Sequence, residues 1–551
     1  MPWAPAAPGV YIEEVSSRAH LIEGVPTDVA AFIGRAALGP LNQPVLLQSP
    51  SEFEARFGGL HVDCTMPYAV RDFFQNGGSK ALVVRVAHAD ARAATISLPC
   101  GGHRCASLVL QARSVGAWGL GLSAAVEYEG RAVPAVPSPS APAASRRRAQ
   151  HFDLHLRWQG KGGELVQEVF RNVSVQPDDD RCLAQVLARE SLLVEVRGPM
   201  PAHRPASTAR VEGGTSGLHW VRADSASGSD GAVLDAADLL GDAVAGTGLH
   251  ALDRPDVAFN LLCIPPLARD ANVVPSDYVP PPQGVIDAAF ALCVRRRAFL
   301  IVDPDPRWAA SASRAVDRAV DGSAALRQAG SAGRNAALYF PCLRLPDPLR
   351  EDRVDTFVPC GAVAGVIART DATRGVWKAP AGMEAELVGV QDLQVQLGDS
   401  ASERLNPLGI NCLRVLGAGQ RLVWGARTLR GADELADEYK YVPVRRLALF
   451  IEQSIESGIR WAVFEPNDEP LWATLRLSVG NFLGGLFRKG AFAGSTEDEA
   501  FFVRCDATTI TPADQSLGLA NVVVGFAPLK PAEFVIVRVV VRAGRADDPR
   551  P

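Results

Sequence analysis

Hydrophobic and polar positions change period several times along the chain. Val29-Ala30-Ala31-Phe32-Ile33-Gly34 and Ala81-Leu82-Val83-Val84-Arg85-Val86 are near-continuous apolar runs, the pattern of strands buried on both faces. Between them, Ser51 to Gly58 predicts a short helix with Ser51 as its cap and Gly58 as its stop. Tyr68 to Phe74 predicts a second helix, ended near Gly77-Gly78. From Val257 to Arg369 the alternation returns. Phe259 to Ile264 reads as a strand halted by Pro265-Pro266, Gly284 to Arg297 as a helix, and Ala298 to Val302 as a strand. Ser311 to Gln328 reads as a helix and Ala336 to Phe340 as a strand. Such spacing predicts parallel pairing with helices on the sheet faces.

Residues 95–222 differ. Ser107 to Leu110 and Phe152 to Trp158 alternate with period two, which predicts a β-rich insertion. Within it, Arg131 to Arg148 carries four prolines and Arg146-Arg147-Arg148, a loop-like composition. Further on, Leu447, Ile451, Ile455 and Ile459 recur at four-residue spacing. Leu471, Leu475, Val479, Phe482 and Leu486 form a second helical stripe, after Pro470 at a predicted first helical position.

Both ends read as strands. Val10-Tyr11-Ile12-Glu13 alternates after Pro8-Gly9, and Phe534 to Val541 has seven apolar residues in eight, rich in β-branched types. A terminal strand belongs either to its own sheet or to a neighbour's.

Composition narrows the function classes. The 551 residues are 47% hydrophobic and 21% charged, ordinary globular usage that predicts about three or four domains. A net charge of −5 and 7% aromatics give no reason to expect nucleic acid or an anionic membrane surface as partner. No apolar stretch approaches the roughly 18–20 residues that span a bilayer, and no basic-then-apolar leader opens the chain. A cytosolic product with its ten cysteines reduced is the expectation.

Candidate chemistry is sparse. Gly213-Gly214-Thr215-Ser216-Gly217 resembles the serine loop of subtilisin-like proteases, but none of the nine histidines stands in a matching context for its base. Cys100, His103 and Cys105 lack a companion pair at zinc spacing, and a glycine-rich turn is favoured. His151 and His155 sit on a predicted strand, where four residues span about 13 Å, too far to share an ion. Gly480 and Gly485 have phosphate-loop separation, but Leu486 and Phe487 stand where lysine and a hydroxyl are needed. Gly116 to Gly121 is not followed by a predicted helix, so it is no dinucleotide fingerprint. No catalytic residue, metal or cofactor is expected.

Ordered motifs resemble the contractile tail sheath proteins of myovirus tails and related extracellular injection particles. They begin with Pro8-Gly9-Val10-Tyr11-Ile12-Glu13-Glu14-Val15 and Ser229-Asp230-Gly231, and continue with Gly365 to Asp371 and Gly375-Val376-Trp377-Lys378-Ala379-Pro380. The densest block holds Trp424 to Leu429, Tyr441 to Arg446, Phe464-Glu465-Pro466-Asn467-Asp468, Leu471-Trp472, Gly490-Ala491-Phe492, Phe502 to Asp506 and Pro531 to Phe534. The insertion matches more loosely, at Gly116 to Gly119 and Phe170 to Ser174.

The resemblance implies a multidomain α/β and α+β chain. Residues 1–20 would be an arm given to a neighbour, 21–94 with 223–376 a central subtilisin-like domain lacking the protease triad, and 95–222 an outward-facing insertion. Residues 377–527 would be a tube-facing α+β domain, and 528–551 a second arm. It implies strand exchange through Val10, Tyr11, Ile12 and Glu13 and through Phe534, Val535, Ile536, Val537, Arg538 and Val539. Arg445, Arg446, Arg488 and Lys489 are candidate contacts to an inner tube. The implied partners are further copies of the chain or paralogous sheath subunits, the tube, a baseplate and a terminator or cap. Assembly would occur in the cytoplasm, in stacked and by analogy six-fold rings, with release in the particle. The rival expectations are an α/β hydrolase-like enzyme and a non-contractile shell component.

Overall fold

A computed structural model describes residues 20–100, 105–128, 151–160, 163, 165–212, 215–273, 276–417 and 419–531. Val10 to Glu13, Phe534 to Val539 and the Arg131 to Arg148 loop lie outside the described residues. The chain divides into two compact units. One holds 26–373 and 380–440, the other 374–379 and 441 onward together with the residues up to Val25. The sequence placed this division at 376/377.

The larger unit is built on an eight-stranded sheet. Its order is Val45–Leu47, Lys80–Arg85, Val29–Gly34, Leu261–Cys263, Phe299–Val302, Ala336–Phe340, Ile410–Leu416 and Gln420–Val423. The six inner strands pair in parallel, and the two edge strands are antiparallel. The predicted apolar runs are the first five of these inner strands; Val29–Gly34, Phe299–Val302 and Ala336–Phe340 are buried at every position. The last two strands, which the sequence assigned to the C-terminal domain, complete the sheet instead. Their place is fixed by register, with Leu338, Tyr339 and Phe340 opposite Ile410, Asn411 and Cys412.

Helices cover the faces. Pro50–Phe57 is capped by Ser49, whose hydroxyl accepts from the Glu52 amide at 3.2 Å, not by Ser51. Pro50 explains the shift, since it lacks the amide that the first helical position leaves unused. Gln283–Arg296 matches the expected helix, whereas Ser311 to Gln328 is broken into Ala312–Arg314, Ala315–Gly322 and Ala324–Arg327. The break falls at Gly322, pressed against the Trp308 ring so closely that a Cβ would lie 2.3 Å from it. Cys360–Arg374 is buried throughout Cys360 to Ala368. It crosses Met66–Gln75 at glycine contacts, because a Cβ on Gly361 would lie 2.0 Å from the Ala69 carbonyl oxygen and one on Gly365 2.5 Å from that of Phe73.

The insertion is β-rich, as read. Val221–Arg222, Leu122–Glu127, His151–Gln159 and Leu165–Ser174 form one sheet; Thr95–Leu98, Leu108–Ala112 and Val194–Val196 form another. Helix Leu183–Glu190 joins their shared apolar core through Leu183, Val186 and Leu187. Gly116 to Gly121 runs through a short 3₁₀ turn into a strand, and Ser216 lies on the hairpin Ala209–Glu212/Thr215–Leu218. His151 and His155 take separate acidic partners, Asp179 at 3.1 Å and Glu127 at 3.4 Å. Cys100 and Cys105 are joined as a disulfide, contrary to the expectation of reduced thiols; their Cα atoms lie 5.8 Å apart, within bridging range. The remaining eight cysteines are free and buried.

In the smaller unit, Val442–Gly458 and Glu469–Arg488 pack Leu447, Ile451, Val479, Phe482 and Leu486 into one core with Ile22 and Val376. Asp468 caps the second helix, accepting from the Leu471 amide at 3.2 Å, which puts Pro470 at the second helical position and not the first. A two-stranded sheet, Phe501–Arg504 with Val523–Phe526, packs against the helices. No helix among the described residues is long and apolar enough to cross a membrane.

Candidate functional site: a closed sheet edge and an open strand pair

In a parallel sheet, ligands bind outside the carboxyl ends of the strands, where the order reverses. Here the reversal lies between Val29–Gly34 and Leu261–Cys263. Local packing occupies that edge. The Met66 side chain lies against Gly34, and the Thr65 hydroxyl donates to the Pro266 carbonyl.

Beside it, two hairpins meet over a buried charge network. Arg269, on Ala268–Asp270, reaches Asp347 at 2.8 Å and Asp355 at 3.0 Å. Tyr68 donates to Asp347 at 2.8 Å and the Ser276 hydroxyl to Asp355 at 2.6 Å. Burial works against the Asp355 charge, but donors from Ser276 and Thr356 together with Arg269 hold its pKa down at about 2. The remaining cavity, ≈ 10 Å³, has room for about one water. Thr65, Tyr68, Asp72, Arg269, Tyr278 and Phe357 line it.

Asp303, just past Phe299–Val302, accepts from the Cys360 amide at 2.8 Å and so caps the helix Cys360–Arg374. Burial pushes its carboxyl up to about 7. The nearby Cys342 and Cys360 thiols are pushed well above their usual value by burial, the reverse of what a thiolate nucleophile needs. These groups bind structure together.

His88, Asp235 and Asp238 each bring one ligand-type atom within 4.8 Å of the others, the one such grouping among the described residues. Local bonds account for it. Asp235 and Asp238 cap the helix Ala236–Leu240 reciprocally, and His88 Nδ1 pairs with Asp90 at 2.6 Å.

Of the four cationic candidates, Arg446 is buried in the face of Val442–Gly458 that packs inward, which removes it as a surface contact. Arg445 lies 3.6 Å from Glu452, and Arg488, 3.6 Å from Glu497, is largely exposed next to exposed Lys489.

The open feature is the strand pair of the smaller unit. Phe501–Arg504 and Val523–Phe526 pair only with each other among the described residues, which leaves an outer edge on each. Phe502 and Val523 are 47% and 44% exposed. Unpaired edges with apolar side chains are templates for a further strand. Phe502 to Asp506 enters the sequence analysis only as part of a motif; the aromatic and β-branched run Phe501-Phe502-Val503 is its signal for a strand.

No protein-family model matches the chain. In sequence it is 26% identical over 198 residues to the tail sheath protein of Enterobacteria phage T4, covering 35% of this chain and 28% of that one. It is 29% identical over 192 residues to the tail sheath protein of Vibrio phage KVP40, covering 34% and 27%. The match thus spans under a third of these curated relatives. Fold similarity is coextensive. The sheath of an extracellular contractile injection system, the PVC complex in its contracted state, aligns at a TM-score of 0.52 with 20% identity over 98% of each chain. The contracted helical sheath of the anti-feeding prophage aligns at 0.52 with 21% identity, over 98% and 99%. The sheath tail protein Lin1278 of Listeria innocua aligns at 0.56 with 13% identity, over 92% and 96%.

Proposed function

We propose that this chain, a relative of the contractile tail sheath proteins, is the sheath subunit of a contractile injection particle. Subunits stack as six-fold rings around a rigid inner tube in an extended, metastable state. A baseplate triggers release. Neighbouring subunits then pack into a shorter, wider array, and the tube is driven into a target envelope. The energy is stored at assembly, so contraction needs no nucleotide.

Strand exchange links the subunits. The observation that carries this reading is the strand pair Phe501–Arg504/Val523–Phe526 with its two unpaired edges. The donors are Val10 to Glu13 and Phe534 to Val539 of other copies. Each donated strand gains apolar burial and backbone hydrogen bonds but must be ordered, so a single exchange is near balance. Two given and two received per subunit hold through multivalency while the subunit bodies move. The insertion faces outward, and the smaller unit faces the tube, with Arg488 and Lys489 as its charged contacts.

Co-expression with the tube protein of the same particle, followed by electron microscopy, tests the reading. Sheathed tubes that shorten without ATP are expected. Monodisperse subunits that form no array with the tube would refute it.

A further inference from the structure

The ten cysteines fall into two classes by position. Eight are free and buried, none more than 3% exposed. Burial pushes the Cys64 thiol up to about 12 and the Cys412 and Cys505 thiols up to about 11. A buried, protonated thiol is a poor partner in exchange, because the thiolate is the nucleophile and must be reached. Cys100 and Cys105 are the exceptions. Both are only half-buried, and they are joined across a Cα separation of 5.8 Å.

The bridge sits where the backbone needs a fastening. Leu98 and Leu108 pair at the end of the antiparallel strands Thr95–Leu98 and Leu108–Ala112, so residues 99–107 connect them. That is longer than the usual hairpin connection of about two to five residues. Cys100 lies on the outgoing limb, which is held. Its backbone pairs with Pro205, and the Ala206 amide donates to the Pro99 carbonyl at 2.7 Å. The Pro205 segment is held in turn, since Tyr128 donates to the Pro205 carbonyl and the Arg204 guanidinium lies 3.6 Å from the centre of the Tyr128 ring. Cys105 lies on the returning limb, and the bridge ties that limb to the anchored one.

We infer that Cys100 and Cys105 are a maturation site, closed by a small-molecule disulfide after the chain has left the cell that makes it. The inference rests on the proposed sheath reading, in which the chain is made inside a cell and works outside one. Thiols are kept reduced in the first place and oxidised in the second. One chain thiolate attacks a sulfur of the small disulfide, which forms a mixed disulfide and expels one thiolate. The second chain thiolate then attacks the chain's own sulfur in that mixed disulfide and expels the other. Two chain thiols are oxidised to one bridge, one small disulfide is reduced to two thiols, and the two protons pass to the expelled thiolates. Burial of the other eight cysteines keeps the reaction at this pair.

The test uses the full chain, made in a reducing cytosol and purified without air. Folded chain treated with iodoacetamide is expected to carry the label at Cys100 and Cys105 and at no other cysteine. After incubation with glutathione disulfide neither should label, and the intact mass should fall by two hydrogens. Arg104 is the one trypsin site in 99–107. Cleavage there should slow by about fivefold or more once the bridge has closed. The Cys100→Ser/Cys105→Ser chain should keep the fast rate whether or not it meets the disulfide. A bridge already closed before the oxidant is added, label on buried cysteines ahead of this pair, or equal cleavage in the two states overturns the inference. None of these readouts needs an array, so they hold or fail independently of whether the chain sheathes a tube.

Discussion

Arg269 and Asp347 form an ion pair 2.8 Å long in which neither side chain keeps any exposed surface. The two residues come from different hairpins, Ala268–Asp270/Asp277–Val279 and Leu343–Asp347/Arg353–Phe357, both close to the carboxyl edge of the parallel sheet. A buried pair of this kind adds little net stability, but removing one partner strands the other. Arg269→Ala is expected to cost about 3–5 kcal/mol. Arg269→Met combined with Asp347→Leu should recover only part of that loss in urea denaturation, because Asp355 still loses Arg269 and Tyr68 loses its acceptor. An Arg269→Ala subunit with wild-type midpoint would show that the pair does not hold the hairpins.

Asp303 makes stability depend on pH. Its folded pKa, raised by burial to about 7, lies above the ordinary value of 3.8, so the folded state binds the proton more tightly than the unfolded chain does. The stability tied to that proton is complete below about pH 4 and is lost as pH rises toward 7, a total of about 4 kcal/mol. Asp303→Asn keeps an acceptor for the Cys360 amide and should melt higher than wild type at pH 8, with a flatter profile between pH 5 and about 8. Asp355 acts in the opposite sense. Its pKa is held at about 2, so its contribution is lost as pH falls from about 4 toward 2. Melting curves from pH 2 to about 8 check both signs.

Gly361 and Gly365 set the approach of Cys360–Arg374 to Met66–Gln75. Alanine at Gly361 drives a methyl into the Ala69 backbone, and at Gly365 into that of Phe73. Neither backbone can yield as a flexible side chain would. Each substitution should cost about 1–3 kcal/mol despite alanine's better helix propensity. A rise in melting temperature for either variant contradicts this packing.

Much of the larger unit could be read from the chain because its strands are unbroken apolar runs. Ile410–Leu416 escaped notice for a physical reason. Asn411 and Arg414 interrupt the run, yet both are buried and bonded, Asn411 to the Leu338 and Arg427 carbonyls and Arg414 to Asp399. Arg446 misled in the same way, since a charge on a helix does not reveal whether its face points inward. The Arg269 network joins side chains far apart in sequence. The open strand pair at Phe501–Arg504 has no local signature of openness, because an edge is defined by what does not pair with it.

If strand exchange links the subunits, the two ends are separable from the fold of the subunit. Removing residues 532–551, or residues 1–19, should leave the subunit's melting temperature within about 2 °C of wild type while abolishing extended arrays. Equal loss of folding and assembly would instead tie the ends to their own subunit.

The central claim is that neighbouring subunits complete one another's sheets. A high-resolution map of the assembled particle tests it most directly. The account predicts density for Val10 to Glu13 and Phe534 to Val539 running into other subunits and lying along the edges of their Phe501–Arg504/Val523–Phe526 pairs. Density showing both segments folded back onto the subunit they belong to would contradict it.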